Sequence, residues 1–120
     1  MRKQRQLAMV ELHALERLRR LASRLDGSVE SSAFGHPTFK AGGRAFAVLD
    51  AYGGIPCLWL RIGELDRERL LATEGWSLSP YDPRRNALVC RLDAIDWRRI
   101  QPLVRASHRL AAPAPTRRRR

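Results

Sequence analysis

A chain of 120 residues is one domain's worth, long enough to bury a real core and too short for two. Hydrophobic residues make up 44% and charged residues 29%, a globular balance that excludes a disordered chain. No apolar run approaches the ~20 residues that cross a bilayer, so a helical membrane protein is excluded, and the formal charge of +11 turns attention to polyanions.

The start, Met1-Arg2-Lys3-Gln4-Arg5, is basic but runs into a helical pattern containing Glu11, His13 and Glu16, unlike a signal peptide, and the expected location is the cytoplasm. Apolar residues at Leu7, Val10, Ala14, Leu18, Leu21 and Leu25 form a helical stripe. His13, Arg17, Arg20 and Arg24 occupy the opposite face, a solvated face or one that meets phosphate, and Asp26-Gly27 ends the helix. Ser28 to Phe34 is polar and β-compatible, a first and exposed strand.

Gly35 to Asp50 then reads as a hairpin or a kinked strand. Two short apolar segments, Thr38–Lys40 and Ala45–Leu49, flank Gly42-Gly43, and glycine accepts positive φ without a Cβ clash. Pro37 pushes His36 towards an extended conformation, so the strand is expected to begin after it. Ile55 to Ile62 is apolar on both faces, as a central strand would be, and Trp59 is read as packing on the second face. Gly63 to Thr73 reads as a short helix with Leu65, Leu70 and Leu71 inward, closed by Gly75. Trp76 to Ser79 is a short extended piece, Tyr81 to Asn86 has turn chemistry, and Ala87 to Leu92 is the last strand. Asp96 is a candidate N-cap for a closing helix with Trp97, Ile100, Leu103, Val104, Ser107, Leu110 and Ala111 inward. Pro102 conflicts with that cap, and a short first turn followed by a helix from Gln101 fits equally. The folded unit is expected over 1–113 and a disordered basic tail over 114–120. The order α-β-β-β-α-β-β-α predicts an α+β domain, an antiparallel sheet with helices mainly on one face. Leu18, Leu21, Phe46, Val48, Leu58, Leu60 and Leu110 are the expected core.

His36-Pro37-Thr38-Phe39-Lys40 followed by Gly42-Gly43-Arg44-Ala45-Phe46-Ala47 resembles the signature of the MmcQ/YjbR family of small bacterial proteins. Pro80-Tyr81, Val89 to Asp93 and Ser107-His108-Arg109-Leu110-Ala111 match as well, and the resemblance runs roughly from Leu7 to Pro113. It implies a compact two-layer α+β domain, shaped like the secretion chaperones, and a DNA-binding role. His36, Pro37, Phe39, Lys40, Gly43, Arg44, Pro80 and Tyr81 are the signature positions. Where the family commonly has an aromatic after Pro-Tyr and a Tyr in the closing helix, this chain has Ala87-Leu88 and His108.

Catalysis needs a nucleophile with its base, a carboxylate pair or metal ligands within reach. No nucleophile elbow, phosphate-cradling loop, His-Glu-x-x-His or Cys-x-x-Cys is present, so no enzyme, cofactor or metal is expected. Cys57 and Cys90 lie in predicted strands and are read as reduced packing residues. His36 is read as satisfying buried backbone of its turn, and Lys40 and Arg44 as solvated charges.

Arg2, Lys3, Arg5 and Arg117 to Arg120 are seven of the 23 basic residues, which leaves 16 against 12 acidic ones, or +4, between them. Only Lys3 and Lys40 are lysines. The first functional reading is a DNA-binding monomer that grips phosphates nonspecifically, since no recognition-helix motif is legible. Its candidate contacts are Arg84 and Arg85 in the turn, Arg98, Arg105 and Arg109 on the last helix, and Arg117, Arg118, Arg119 and Arg120 as an arm, together forming one basic surface. The alternative is a protein-interaction module that presents the exposed sheet face to a partner chain.

Overall fold

The computed structural model describes residues 8–112 apart from 81, 83 and 85. The expected tail 114–120, the arm Arg117 to Arg120, and Tyr81 and Arg85 lie outside the described residues. In chain order the described residues form helix α1 (Met9–Ala22), strands β1 (Ser28–Ala33), β2 (His36–Ala41), β3 (Arg44–Tyr52) and β4 (Ile55–Arg61), helix α2 (Glu64–Leu71), strands β5 (Trp76–Leu78) and β6 (Ala87–Arg91), a 3-10 turn (Leu92–Ala94), and helix α3 (Trp97–Ala111). All strands join one antiparallel sheet in the order β1-β2-β3-β4-β6-β5. Gly35–Asp50 is therefore a hairpin rather than a kinked strand, which puts four strands before α2 instead of three. β4 is central, as its two-sided apolarity requires.

Three two-residue turns build the first four strands. Ala33 pairs with His36, Ala41 with Arg44, and Tyr52 with Ile55, so each connection is only two residues long. Both residues of each connection have positive φ, the conformation that matches the twist of a hairpin. Gly42-Gly43 and Gly53-Gly54 adopt it freely, whereas the first connection uses Phe34, at φ 54 and 94% exposed, before Gly35. His36 already belongs to β2, because Pro37 stands within the strand rather than before it.

Helix-facing residues Phe39, Ala47, Leu60 and Leu88 stand in register across four strands, with Leu49 and Leu58 beside them. They form one core with Ala14, Leu15 and Leu18 of α1 and Ile100 and Val104 of α3. Leu18, Phe46, Leu58 and Leu60 are buried as expected, while Leu21 and Val48 are half-buried and Leu110 is 47% exposed. The inward stripe of α3 is Ile100, Val104, Ser107 and Ala111, which turns Leu110 aside. In α1 the inward residues are Glu11, Ala14, Leu15, Leu18 and Ala22, so Val10 faces solvent and the buried Glu11 reaches back to accept from the Ala8 N–H. Of the three leucines expected under α2, only Leu70 is buried, and Leu65 is 97% exposed. Gly75 is fixed twice: its φ is +91, and a Cβ there would lie 2.6 Å from the Ala94 Cβ.

Asp96 caps α3 by accepting from the Arg98 N–H at 3.1 Å, and the helix runs unbroken through Pro102. Pro102 is exposed, and its missing N–H leaves the Arg98 carbonyl without its i+4 donor at a position on the exposed side of the helix.

α3 is tied to the sheet at a bulge. Phe39 pairs with Ala47 and Lys40 with Ala45, so Phe46 is an extra residue on β3. The bulge turns Phe46 and Ala47 both towards the helices, and both are buried. It also ends the β3–β4 ladder at Ala47 and Leu60, leaving the Phe46 carbonyl and the Arg61 N–H without ladder partners. The buried Ser107 hydroxyl serves both, donating to Phe46 O at 2.6 Å and accepting from Arg61 N at 2.9 Å. The neighbouring His108 ring meets Phe46 edge-on at 5.2 Å between centroids, and its Nε2 lies 2.8 Å from Asp26 O, so that nitrogen carries the proton it donates.

Three outcomes are expected of this fold. Phe34→Asn should raise stability by roughly 1 kcal/mol, because an aromatic held at positive φ costs about that much and Asn tolerates it, and a lowered denaturant midpoint would contradict the assignment. Ser107→Ala should lower stability by about 1–3 kcal/mol by stranding two buried backbone groups, read from the same midpoint. Cys57 and Cys90 are free and buried, and burial pushes the Cys90 thiol up to about 11 and raises that of Cys57. Both should ignore an aromatic disulfide reagent at neutral pH in the folded protein and react fully in denaturant.

Candidate nucleic-acid interface

Arg17 and Arg20 stand on α1, and Arg24 follows in the turn just past its C-cap, and all three line one groove. That groove lies beside α3, where Trp97 and Gln101 complete it as a shallow recess of about 180 Å³. The Arg17 guanidinium stands 5.5 Å from the centre of the Trp97 ring, a distance at which the ring quadrupole attracts the cation. None of the three guanidiniums forms an ion pair among the described residues. The contrast with Arg19 is instructive. It points towards the sheet, where its Nε and Nη2 donate to the two carboxylate oxygens of Glu30, each at 2.8 Å.

On α3, Arg98, Arg105 and Arg109 follow at i, i+7 and i+11, all exposed, along the solvent crest beside that groove. Their outward placement is as expected from the sequence. Arg17, Arg20 and Arg24 thus face α3 across this groove, while Arg98, Arg105 and Arg109 stand on the α3 crest, where Arg98 and Arg109 also border a cleft on the α2 side. Trp97, read from sequence as an inward residue, is half-buried and serves as the platform between them.

Arg84 does not join this surface. It lines a separate pocket of about 430 Å³ with Val48, Asp50, Trp59 and Arg61, on the sheet face away from the helices. The single basic surface expected from Arg84 through Arg109 is therefore divided by the sheet. The physical reason is where the loop before β6 lies, with Ser79, Asp82 and Asn86 lining the same pocket against Val48 and Trp59. Asp82 sits in that pocket and accepts from the Arg84 N–H at 3.1 Å. Arg61 lies 5.6 Å from the Trp59 ring centre and donates to Ala45 O at 2.6 Å, and burial, with repulsion from Arg44, lowers its pKa. Trp59 is half-buried on this face, consistent with packing there.

The signature residues divide likewise. Phe39 is core, its ring 6.3 Å from that of Phe46. Gly43 is a turn residue, Arg44 and Pro80 are exposed, and Lys40 is half-buried. His36 corrects the sequence reading. It serves no turn backbone; its Nε2 meets Asp50 Oδ1 at 3.2 Å across β2 and β3. Asp50 also accepts from the Ala51 N–H and bonds to Tyr52, and burial, followed by that bond, holds the phenol above its ordinary range. This network is a tie between strands. Among the described residues no cluster of His, Cys, Asp and Glu has the arrangement of a metal site, and no helix is long and apolar enough to cross a membrane.

The family model described as YjbR matches residues 23–110, which accords with the resemblance seen in the signature residues. The match begins just after α1, so Arg17 and Arg20 precede it and Arg24 falls within it. Two solved structures share the fold. One is a Deinococcus radiodurans protein with a DUF419 domain, 21% identical, with a TM-score of 0.69, covering 80% of this chain and 76% of that one. The other is a Pseudomonas syringae protein, 12% identical, with a TM-score of 0.65, covering 80% of this chain and 97% of that one. No curated protein matches the chain.

Proposed function

The chain belongs to the YjbR family, and we propose that it is a non-enzymatic nucleic-acid-binding protein that grips the phosphate backbone of duplex DNA across α1 and α3. The observation that carries this reading is the trio Arg17, Arg20 and Arg24, unpaired among the described residues and facing Trp97 and Gln101 across a groove. Arginine's planar fork meets a phosphate with two hydrogen bonds, and unpaired guanidiniums need not break an ion pair to do so. Arg98, Arg105 and Arg109 extend the same cationic side, and Arg117 to Arg120 add four further positive charges to the chain. Such contacts position a protein on DNA without reading bases. The acting species is taken as a monomer, in the cytoplasm, where two free buried thiols are stable.

A partner-docking sheet face has less support. The loop before β6 already leans over that face, with Ser79, Asp82, Arg84 and Asn86 lining a pocket against Val48 and Trp59.

Binding to a short duplex across a salt series tests the proposal. Arg17→Ala/Arg20→Ala/Arg24→Ala should weaken binding and lower the slope of log affinity against log salt by about two to three, near 0.9 for each lost phosphate contact. Protein lacking 116–120 should keep a reduced slope. A slope unchanged by the triple substitution, with binding lost on tail removal, would assign the affinity to the arm alone.

A further inference from the structure

Between α2 and α3, over β5 and β6, the helix layer leaves a cleft of about 1030 Å³. Its floor is apolar: Leu70, Trp76, Ile100, Leu103 and Ala106. The rim is ionic, and most of its charges are already matched. Arg69 pairs with Asp66 at 2.8 Å, Arg91 with Asp93 at 3.0 Å, and Arg99 with Asp96 at 3.7 Å. Two guanidiniums on the rim, Arg98 and Arg109, have no partner among the described residues. They stand eleven residues apart on α3, or about 16 Å along its axis. The two ends differ. Asp96 stands beside Arg98, accepting from its N–H at 3.1 Å. At the other end Arg109 forms no ion pair among the described residues, and α3 itself carries no acidic residue.

We infer that this cleft is a binding site for a single-chain amphipathic anion, its acyl tail laid along the apolar floor and its head group on Arg109. An apolar tail alone would use the floor and ignore the rim. A compact anion such as phosphate would use the rim and leave the floor wet. A carboxylate or phosphate on an acyl chain uses both, which is the usual make-up of a small-molecule site: apolar walls with a few placed polar groups. The inference does not rest on the nucleic-acid reading: Arg98 and Arg109 stand on the α3 crest common to both surfaces, but the apolar floor belongs to the flank of α3 away from Trp97 and Gln101.

Decanoate is the probe, with decyl phosphate and uncharged decanol beside it, each titrated into the full-length protein by calorimetry. Decanoate should bind saturably at one site, and decanol about tenfold more weakly, one charge-assisted contact being worth roughly that factor. If decyl phosphate binds at least tenfold tighter than decanoate, a phosphorylated head is the natural source; parity assigns a carboxylate. Arg109→Gln should weaken decanoate about tenfold and Arg98→Gln less than about threefold, and both are surface changes that leave the core intact. Ala106→Trp, which fills the middle of the cleft, should abolish binding. Arg17→Ala/Arg20→Ala/Arg24→Ala should bind decanoate like the parent protein, so loss of DNA affinity in that variant with decanoate retained separates the two sites. Decanol binding as tightly as decanoate, equal losses at Arg98 and Arg109, or a loss in the α1 variant matching that of Arg109→Gln would overturn the inference.

Discussion

One hydroxyl group sets the arrangement of this molecule. A bulge at Phe46 interrupts the pairing of β3 with its neighbours, and a bulge inside a buried sheet strands polar backbone. Ser107 answers it from outside the sheet, as donor to one strand and acceptor from the next. Because the side chain is short and both partners are backbone, the Ser107 Cα is held at a fixed height over β3 and β4. The α3 helix is thereby fixed in rotation, and its flanks follow. His108 goes to the turn after α1, Trp97 and Gln101 go towards the α1 arginines, and Leu103 and Ala106 go towards α2.

Rotation of α3 decides what its charges can do. With Ile100, Val104, Ser107 and Ala111 inward, the residues at 98, 105 and 109 fall on the opposite crest. Exposed ion pairs elsewhere, such as Arg69 with Asp66 or Arg91 with Asp93, contribute little to stability because water screens them. Their consequence is different: they quench most of the local positive charge. Among the described residues, guanidiniums without an ion pair include Arg17, Arg20 and Arg24 beside α3 and Arg98, Arg105 and Arg109 on its crest, with Arg61 and Arg84 on the opposite sheet face.

Much of the architecture was legible because it depends on local rules. Gly42-Gly43 and Gly53-Gly54 announced their turns, the two-sided apolarity of Ile55 to Ile62 announced a central strand, and the Asp96 cap announced α3. Phe34 was not legible as a turn residue, since nothing in its chemistry favours positive φ. Leu110 and Leu65 misled for the same physical reason. Helical periodicity finds an apolar stripe but not its centre, and a bulge contact made by a serine moved that centre in α3. Of the candidate interface, the spacing of Arg17, Arg20 and Arg24 was visible, and so was the outward placement of Arg98, Arg105 and Arg109. Their adjacency was not, because it follows from how α3 is seated. Arg84 was misplaced because sequence proximity to β6 does not say over which sheet face a loop will fold.

The α3 helix ends up as a wall shared by two recesses of unlike chemistry. On the α1 side the recess is small and lined by guanidinium and indole, which suits groups that are charged or flat. On the α2 side it is large and floored by aliphatic carbon. Pro102 stands on the second flank, one residue from Gln101 on the first, and it is the point at which the helix gives up a hydrogen bond. The helix is nonetheless held at both halves, by the Asp96 cap and the buried Ile100 at its start and by Ser107 towards its end. One seating of α3 therefore fixes both recesses at once, the guanidinium and indole groove for a phosphate backbone and the apolar cleft for a ligand with a hydrocarbon part.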